Sequence, residues 1–380
     1  MNEKIIKVGV IGAGARACVL KNLLVADKRV KLGRIFDPDV KACQRWINET
    51  DSHDALICKD YKEITTAPDI DWVLVISPNN MHKEHIVSAF ENGKNVFAEK
   101  PLATQIEDCQ AIFDAHKKSG KLFATGFVLR YTPLYRKVKA LLDAGEIGKL
   151  IAVEANEKIT PQHGTHIMTN WRRFAELSGS HMLEKCCHDL DLMNWLIGAL
   201  PSKVASFGGL NFFVPENENL RGKYKAPETT EDYFTVKDRD VQSPFTSDKT
   251  IFDNQVAIIE YRNGVRATFM ATLSNVIPER RMYFSGSEGT LIADFYSRII
   301  RVRRLGEDAI REIHPGGEGG HGGGDEVIGR ELAETMRESR PITSGGNEGL
   351  ESAVVALSIE KAVRNQSIID LEPIWKNLNR

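Results

Sequence analysis

The segment Ile5-Ile6-Lys7-Val8-Gly9-Val10-Ile11 runs directly into Gly12-Ala13-Gly14-Ala15-Arg16-Ala17 near the beginning of the chain. The first part has the apolar, β-branched pattern of a buried strand. The second part has the G-x-G-x-x-A spacing in which a tight turn brings backbone close to a diphosphate and the helix N-terminus points at it. The pattern therefore predicts a dinucleotide-binding βαβ unit in which Gly12, Ala13, Gly14, Ala15 and Arg16 contact the cofactor.

An acidic residue follows this turn at the spacing that ribose recognition requires. Asp37 ends the second predicted strand, about twenty residues beyond the turn. A carboxylate at this position accepts hydrogen bonds from ribose hydroxyls and repels a 2′-phosphate, which favours NAD as the cofactor. Two alternatives stay open: Asp37 as a helix cap before Pro38, and NADP as the cofactor through Arg16.

The first third of the chain alternates short apolar runs with helical patterns. Runs of nearly continuous hydrophobicity indicate parallel strands that helices cover on both faces. The predicted strands are 7–11, 31–36, 72–76, 95–98 and 121–125, and the clearest helices are 83–92 and 106–118. Right-handed crossovers then give a Rossmann doubly wound parallel sheet.

The pattern of hydrophobic and polar residues changes after Phe127. We predict two domains: a Rossmann domain at 1–127 and a substrate-binding α/β domain at 128–380, whose C-terminal helix at 348–364 packs back on the first domain. Period-2 patterns predict a large, mostly antiparallel open sheet in the second domain, with strands near 150–157, 255–261, 265–273, 281–285, 290–294 and 299–303. Residues 213–253 and 315–325 resist assignment, as functional lids or mobile loops do.

The composition excludes several classes of function. The chain has 380 residues, 42% hydrophobic residues and a net charge of −2. With no strong field of either sign, we expect no nucleic-acid or membrane partner and favour a small neutral or singly charged ligand. The six cysteines have no disulfide-framework spacing, and no signal sequence or membrane-spanning stretch is evident, so we predict a cytoplasmic protein.

Two motifs follow central strands, at the sheet edge where ligands bind in open α/β folds. They are Ser77-Pro78-Asn79-Asn80-Met81-His82 and Glu99-Lys100-Pro101-Leu102-Ala103. Together with the glycine turn, this S-P-N-x-x-H and E-K-P-L-A order resembles the Gfo/Idh/MocA family of oxidoreductases over nearly the whole chain. Without that resemblance, the E-K-P segment reads as a surface turn.

The resemblance implies roles for these residues. It places Lys100 beside the nicotinamide and the substrate hydroxyl, where an ammonium group can stabilise negative charge on oxygen. It also assigns Ser77, Pro78 and Asn79 to the cofactor site, where Glu99 either orients the loop or contacts the cofactor. His82 either lines the cofactor cleft or caps the following helix, and both readings stay open.

The segment 179–196 is the second informative stretch. Glu184 and His188 stand four residues apart, so one helical face would present both. The sugar dehydrogenases of the resembled family carry G-G-x-x-x-D-x-x-x-H-x-x-D here. The chain matches at Gly179, His188 and Asp191, but has Ser180 and Glu184 instead of the second glycine and the aspartate.

The resemblance makes His188 the general acid or base, because a histidine accepts a hydroxyl proton around neutral pH. The alternative is a core histidine bonded to a carboxylate. Glu184 would orient His188 or bind a substrate hydroxyl.

Further candidates for the substrate site are aromatic and charged residues, which sugar sites combine. They are Arg130, Tyr131, Trp171, Arg172, Asp191 and His321. We predict no metal, because His181, Glu184, Cys186, Cys187 and His188 have no standard zinc spacing.

The sequence therefore predicts an NAD-dependent oxidoreductase that transfers a hydride between nicotinamide and a hydroxyl-bearing carbon of a sugar, polyol or glycoside. One alternative is an NAD-dependent glycosidase that acts by transient oxidation and elimination. Another is a non-catalytic dinucleotide-sensing binding protein. The family resemblance implies a homodimer or homotetramer.

Overall fold

A computed structural model describes residues 5–226, 231–235 and 242–380 of the chain. The chain divides into two units, Met1–Arg136 with Gly317–Val354 and Lys137–Gly316 with Val355–Arg380. Residues 317–354 thus cluster with the first unit, whereas the sequence analysis used a single boundary after residue 127. That boundary and the packing of the C-terminal helix remain predictions.

The secondary structure alternates strands and helices along most of the chain. The strands are β1 Ile6–Ile11, β2 Val30–Phe36, β3 Leu56–Ile57, β4 Trp72–Val75, β5 Asn95–Ala98, β6 Phe123–Thr125, β7 Leu150–Lys158, β8 Pro201–Gly209, β9 Asn254–Tyr261, β10 Arg266–Thr272, β11 Arg281–Gly286, β12 Gly289–Asp294, β13 Ile299–Arg304, β14 Arg311–Ile313 and β15 Ile369–Asp370. The helices are α1 Cys18–Ala26, α2 Val40–Glu49, α3 Lys62–Thr65, α4 His82–Glu91, α5 Ile106–Ser119, α6 Pro133–Asp143, α7 Pro161–Met168, α8 Ala175–Ser178, α9 His181–Glu184, α10 Cys187–Ile197, α11 Gly324–Glu338, α12 Gly346–Asn365 and α13 Glu372–Asn377. Within the described ranges, no helix has both the length and the apolar character needed to cross a membrane.

The first unit contains a six-stranded parallel sheet in the order β3-β2-β1-β4-β5-β6. The chain order reverses between β1 and β4, which is the position where open α/β sheets bind ligands. All four residues of β4 are buried, as expected for a central strand covered on both faces. The predicted doubly wound sheet is confirmed.

The sequence analysis missed the edge strand β3. It contains only Leu56 and Ile57, and neither side chain is fully buried. Two residues are too few for a hydrophobic period, so no pattern of this kind could have indicated the strand.

The second unit contains a nine-stranded sheet in the order β14-β13-β12-β11-β7-β10-β9-β8-β15. The β7–β10 pair is parallel and every other neighbouring pair is antiparallel. Burial alternates strictly along β9, so one face of that strand packs inward and the other is open. This confirms the mostly antiparallel sheet, to which the structure adds β8, β14 and β15.

The unassigned segment 213–253 contributes to the core of the second unit. Phe213, Phe234 and Phe245 are buried with residues of α7 and with Leu273. The Asp253 carboxylate accepts hydrogen bonds from three consecutive backbone amides at residues 211–213. The described part of the segment is therefore packed rather than a simple lid, while residues 227–230 and 236–241 lie outside the described ranges.

Candidate active site

The glycine turn after β1 has the shape that a dinucleotide requires. Gly12 has φ +100°, and a Cβ there would lie 2.6 Å from the carbonyl of Ile76 and the nitrogen of Ser77. Only glycine fits this position. An added Cβ at Gly14 would have no atom within 4 Å, so space lies open beside that backbone. A short 3₁₀ turn at Ala15–Ala17 then leads into α1. The turn therefore fits a diphosphate over Gly14.

Asp37 is bonded to this turn. One of its carboxylate oxygens accepts from the backbone nitrogen of Ala13 at 2.7 Å, and the other accepts from the nitrogen of Asp39 at 2.9 Å. Asp39, not Asp37, is the N-cap of α2, where it accepts from the nitrogen of Lys41. The helix-cap reading of Asp37 is therefore wrong, and its carboxylate lies at the edge of the glycine turn.

Arg16 lies between two carboxylates. Its Nε and Nη2 donate to Glu99 Oε1 at 2.9 and 2.8 Å, and its Nη1 lies 3.2 Å from Asp325 Oδ1. The charge of Glu99 is the largest influence on the guanidinium and raises the pKa of Arg16. Since these bonds commit the guanidinium to Glu99 and Asp325, Arg16 is a poor candidate for holding a 2′-phosphate.

Buried histidines link the two motifs beyond β4 and β5. His82 is 0% exposed, and its ring nitrogens lie 2.8 Å from the carbonyl oxygen of Pro101 and 2.9 Å from that of Ser77. Burial lowers the pKa of His82, so a neutral ring donates to one of these carbonyls. His85 Nδ1 lies 2.9 Å from the hydroxyl of Ser77. His82 thus begins α4 and connects the S-P-N and E-K-P segments.

Glu99 holds the backbone that leads to Lys100. It is 4% exposed, and its second carboxylate oxygen accepts from the backbone nitrogen of Lys100 at 3.2 Å. A Cβ on Gly126 would lie 2.8 Å from that same oxygen, so glycine leaves room for the carboxylate. The E-K-P segment is therefore a fixed part of the sheet edge, in contrast to a mobile surface turn.

In the second unit, Glu184 and His188 do not share one continuous helix, the arrangement in which one helical face could present both. Helix α9 ends at Glu184 and α10 begins at Cys187, with Lys185 in between as the C-cap of α9. Glu184 instead accepts from Nε of Arg172 at 2.9 Å. The guanidinium of Arg172 also lies 4.6 Å from the ring centre of Trp171. The structure therefore brings Glu184 together with Arg172 and Trp171.

The second unit also holds a buried charged cluster of Glu157, Lys185, Asp189 and Arg280. Arg280 donates to both oxygens of Asp189 at 2.7 and 2.6 Å, and Lys185 and Arg280 each lie 3.8 Å from Glu157. Burial raises the pKa of Glu157, but the positive charges of Lys185 and Arg280 outweigh it and lower the pKa overall. Sequence reasoning missed this cluster, because Arg280 and Glu157 are far from residue 189 in the chain.

Glu157, His181 and Cys186 also offer ligand atoms within 4.8 Å of one another. Lys185 and Arg280 already balance the charges of Glu157 and Asp189, so these residues fit an ion-pair cluster better than a metal centre. The prediction of no metal stays a prediction.

The remaining candidates are mostly buried. His188, Asp191 and Arg130 are 5%, 1% and 5% exposed. Tyr131 is 0% exposed, and its hydroxyl accepts from the nitrogen of Ser344 at 3.2 Å. His321 is half-buried in the glycine-rich loop and lies 2.7 Å from Asp325. Their roles toward a substrate stay predictions.

Comparisons with known proteins cover both units. The family model described as "Oxidoreductase family, NAD-binding Rossmann fold" matches residues 6–127. The model described as "Oxidoreductase family, C-terminal alpha/beta domain" matches residues 139–371. The chain therefore belongs to the Gfo/Idh/MocA oxidoreductase family, and its Rossmann unit is NAD-binding.

Individual relatives have low sequence identity to this chain. The chain is 25% identical over 355 residues to a putative oxidoreductase, YteT, of Bacillus subtilis, covering 81% of this chain and 83% of the relative. It is 31% identical over 201 residues to an inositol 2-dehydrogenase of Gluconacetobacter diazotrophicus, covering 50% and 54%. It is 28% identical over 208 residues to a 2,7-anhydro-N-acetylneuraminate hydratase of Escherichia coli, covering 54% and 53%. The last two matches span only about half of each relative.

Proposed function

From this family membership, we propose that the protein transfers a hydride between NAD(H) and a hydroxyl-bearing carbon of a sugar, polyol or glycoside. The observation that carries the proposal is the fixed position of Lys100. Glu99 is held by two bonds from Arg16 and itself accepts from the Lys100 nitrogen, directly after β5. Bound NAD supplies a hydride acceptor at this edge of the sheet.

In this proposal, Lys100 stabilises the charge on the substrate oxygen and His188 takes up the proton. The ammonium group of Lys100 stabilises negative charge on the substrate oxygen as the C–H bond is broken. His188 accepts the hydroxyl proton, which balances the loss of a hydride from carbon. His82 acts through the segments it connects, since its ring is fully buried between Ser77 and Pro101.

The second unit offers a suitable surface for a carbohydrate. Trp171, Arg172 and Glu184 combine an aromatic ring with a guanidinium and a carboxylate. This combination stacks on a sugar ring and bonds its hydroxyls. Because Arg172 already bonds Glu184, the pair presents its donors and acceptors in one defined geometry. The inositol 2-dehydrogenase among the relatives supports a polyol or sugar as substrate.

We expect a cytoplasmic homodimer or homotetramer that binds neither nucleic acid nor membranes. Its six cysteines are all free thiols, which fits a reducing compartment. NAD is the cofactor, and Asp37 at the glycine turn disfavours NADP.

The test is formation of NADH from NAD with a panel of sugars, anhydro sugars and polyols that includes myo-inositol. Lys100→Ala should lower turnover on an active substrate by about 10²- to 10⁴-fold. Lys83→Ala is the matched control, because Lys83 is exposed and pairs with Asp108 on α5. Full turnover of the Lys100 variant would contradict the assigned role. Tight NADH binding without turnover of any substrate would favour the dinucleotide-sensing alternative.

One relative favours a second candidate function, elimination after transient oxidation. The hydratase from Escherichia coli acts, by its name, on an anhydro sugar. Oxidation next to a C–H bond makes that hydrogen acidic, so a glycosidic or anhydro oxygen on the neighbouring carbon can leave. Cleavage of a glycoside or anhydro sugar without net NADH would support this function, whereas stoichiometric NADH supports the dehydrogenase.

A further inference from the structure

The ammonium group of Lys185 has donors that the described part of the chain does not use. Lys185 directly follows Glu184 of the proposed carbohydrate surface and is the C-cap of α9. Its Nζ lies 3.8 Å from Glu157 Oε1, which makes an ion pair but is too long for a hydrogen bond. No other side-chain partner of Lys185 occurs among the described residues. A partly exposed ammonium therefore keeps its N–H donors for a ligand.

The ion pairs at this surface expose their cations more than their carboxylates. The side chains of Lys185 and Glu157 are 22% and 1% exposed. Those of Arg172 and Glu184 are 26% and 11% exposed. The charges of each pair cancel in number, but a ligand that arrives from solvent meets the positive end first. The surface is therefore suited to a negatively charged group.

His163 on α7 shows the sign of the electric field near Lys185. The residue is exposed overall, yet the packing around its ring lowers the pKa of His163 from 6.5 to about 4, and the positive charge of Lys185 adds to this effect. Glu157 acts in the opposite direction with a smaller influence. At this exposed ring the positive charge thus outweighs the negative one. The neutral imidazole can donate one hydrogen bond and accept another.

The number of available cations limits the charge of the ligand. Arg172 bonds Glu184 at 2.9 Å, and Arg280 donates to both oxygens of Asp189. Of these cations and Lys185, only Lys185 has no hydrogen-bonded carboxylate in the described ranges. One ammonium matches one negative charge, as on a carboxylate, whereas a phosphate group carries up to about two charges at neutral pH.

We propose that the substrate is an acidic sugar, a uronic acid or its glycoside, whose carboxylate binds the ammonium of Lys185 beside His163. Lys185 is then a specificity-determining residue that contacts the substrate away from the reacting carbon. The inference rests on the proposed function in taking this part of the second unit as the substrate site, and it narrows the substrate class.

The test compares matched substrates, namely hexuronates and the hexoses of the same configuration, all as methyl glycosides. NADH formation gives kcat/KM for each, and the readout is the ratio of acid to neutral sugar. The wild-type ratio should be about 10 to 100, the gain expected from one hydrogen bond between charged groups. Lys185→Met should lower the ratio to about 1 or below, because Glu157 then repels the carboxylate. Lys185→Arg keeps the charge and should keep most of the preference.

Lys158 provides the matched control in the same unit. Its side chain is 28% exposed, and its ammonium bonds Glu279 at 2.8 Å. Lys158→Met should leave the ratio unchanged. Partial unfolding of a variant lowers both rates equally, so the ratio reports on recognition alone. A wild-type ratio near 1, or an unchanged ratio in Lys185→Met, would overturn the inference and leave the proposed function in place. Preference for a hexose 6-phosphate over the uronate would also overturn it.

Binding separates the two claims when neither set of sugars is oxidised. That result would contradict the proposed function, and calorimetric titration of the NADH complex with both sets then decides the inference. Uronate binding that Lys185→Met weakens about tenfold or more would support it. Equal binding of acid and neutral sugars, or no binding of either, would overturn it.

Discussion

The two units differ in how completely their main ion-paired clusters are buried. The first unit keeps its deepest imidazoles, His82 and His85, neutral, and its principal ion-pair hub is Arg16, whose side chain is 28% exposed. The second unit buries charges: Asp189, Glu157 and Arg280 have side chains that are 0%, 1% and 6% exposed. A buried charge tolerates no loss of its partner, whereas a partly exposed one is rescued by water. Loss of a charge from the buried cluster of the second unit should therefore mainly affect folding.

The largest expected effect is on the buried cluster of the second unit. Arg280→Met removes the two-bond partner of Asp189 and one cation beside Glu157. The uncompensated carboxylates should lower the free energy of unfolding by about 3–5 kcal/mol. Denaturant unfolding measures this loss. Arg281→Met is the control, since Arg281 pairs with the exposed Glu154 and should cost less than about 1 kcal/mol. Equal losses in both variants would show that burial of the ion pair does not decide the cost of losing its cation.

Folding stability in the first unit should depend on pH, because a buried histidine there stays neutral. Burial lowers the pKa of His85 from 6.5 to about 4. Between these values the unfolded chain binds a proton that folded His85 does not, so the stability from this group falls as pH falls below 6.5. At pH 5 the loss relative to pH 7 should be about 2 kcal/mol.

His85→Gln should reduce this part of the pH dependence, measured as unfolding free energy at pH 7 and pH 5. Comparing the difference between the two pH values cancels the loss of the bond to Ser77. An unchanged difference in the variant would show that His85 does not titrate as described.

A substitution in the glycine turn should weaken cofactor binding without lowering the stability of the fold. Gly14→Val adds a Cβ that has no atom within 4 Å, so the fold should be kept. NADH affinity should fall at least about tenfold, because the side chain occupies the space for the diphosphate. Calorimetric titration and thermal unfolding measure the two effects separately. A variant with unchanged NADH affinity would place the diphosphate elsewhere.

Cofactor preference is the smallest expected effect. Asp37→Ser removes the carboxylate that disfavours a 2′-phosphate, and Arg45 lies near, donating to the carbonyl of Ala13 at 3.1 Å. The ratio of NADPH to NADH affinity should rise about tenfold. Asp39→Ser, at the true N-cap of α2, keeps a capping hydroxyl and should leave the ratio unchanged. A shift in the Asp39 variant equal to that of the Asp37 variant would contradict the assignment.

Local patterns made the first unit largely predictable. The glycine turn, Asp37 and Lys100 each lie at the end of a strand whose apolar run is readable, and parallel strands bring these ends to one edge. The partners of Arg16 were not predictable, because Glu99 and Asp325 are 83 and 309 residues away in the chain. The same holds for Arg280 and Asp189, which are 91 residues apart.

The second unit shows where a helical period misleads. The spacing of Glu184 and His188 fits a helix, but the helix is interrupted at Lys185, between the end of α9 and the beginning of α10. On either side of this interruption, Glu184 and Asp189 bond to Arg172 and Arg280, which lie outside the segment 179–196. No local propensity reports such contacts.

The most direct test of hydride transfer uses the substrate identified from the panel, deuterated at the carbon that is oxidised. The proposed dehydrogenase predicts one deuterium in each NADH formed, by mass spectrometry, and Lys100→Ala should slow its appearance while Lys83→Ala should not. Substrate consumption with NADH that carries no deuterium, or without any involvement of the nicotinamide, would contradict the central claim.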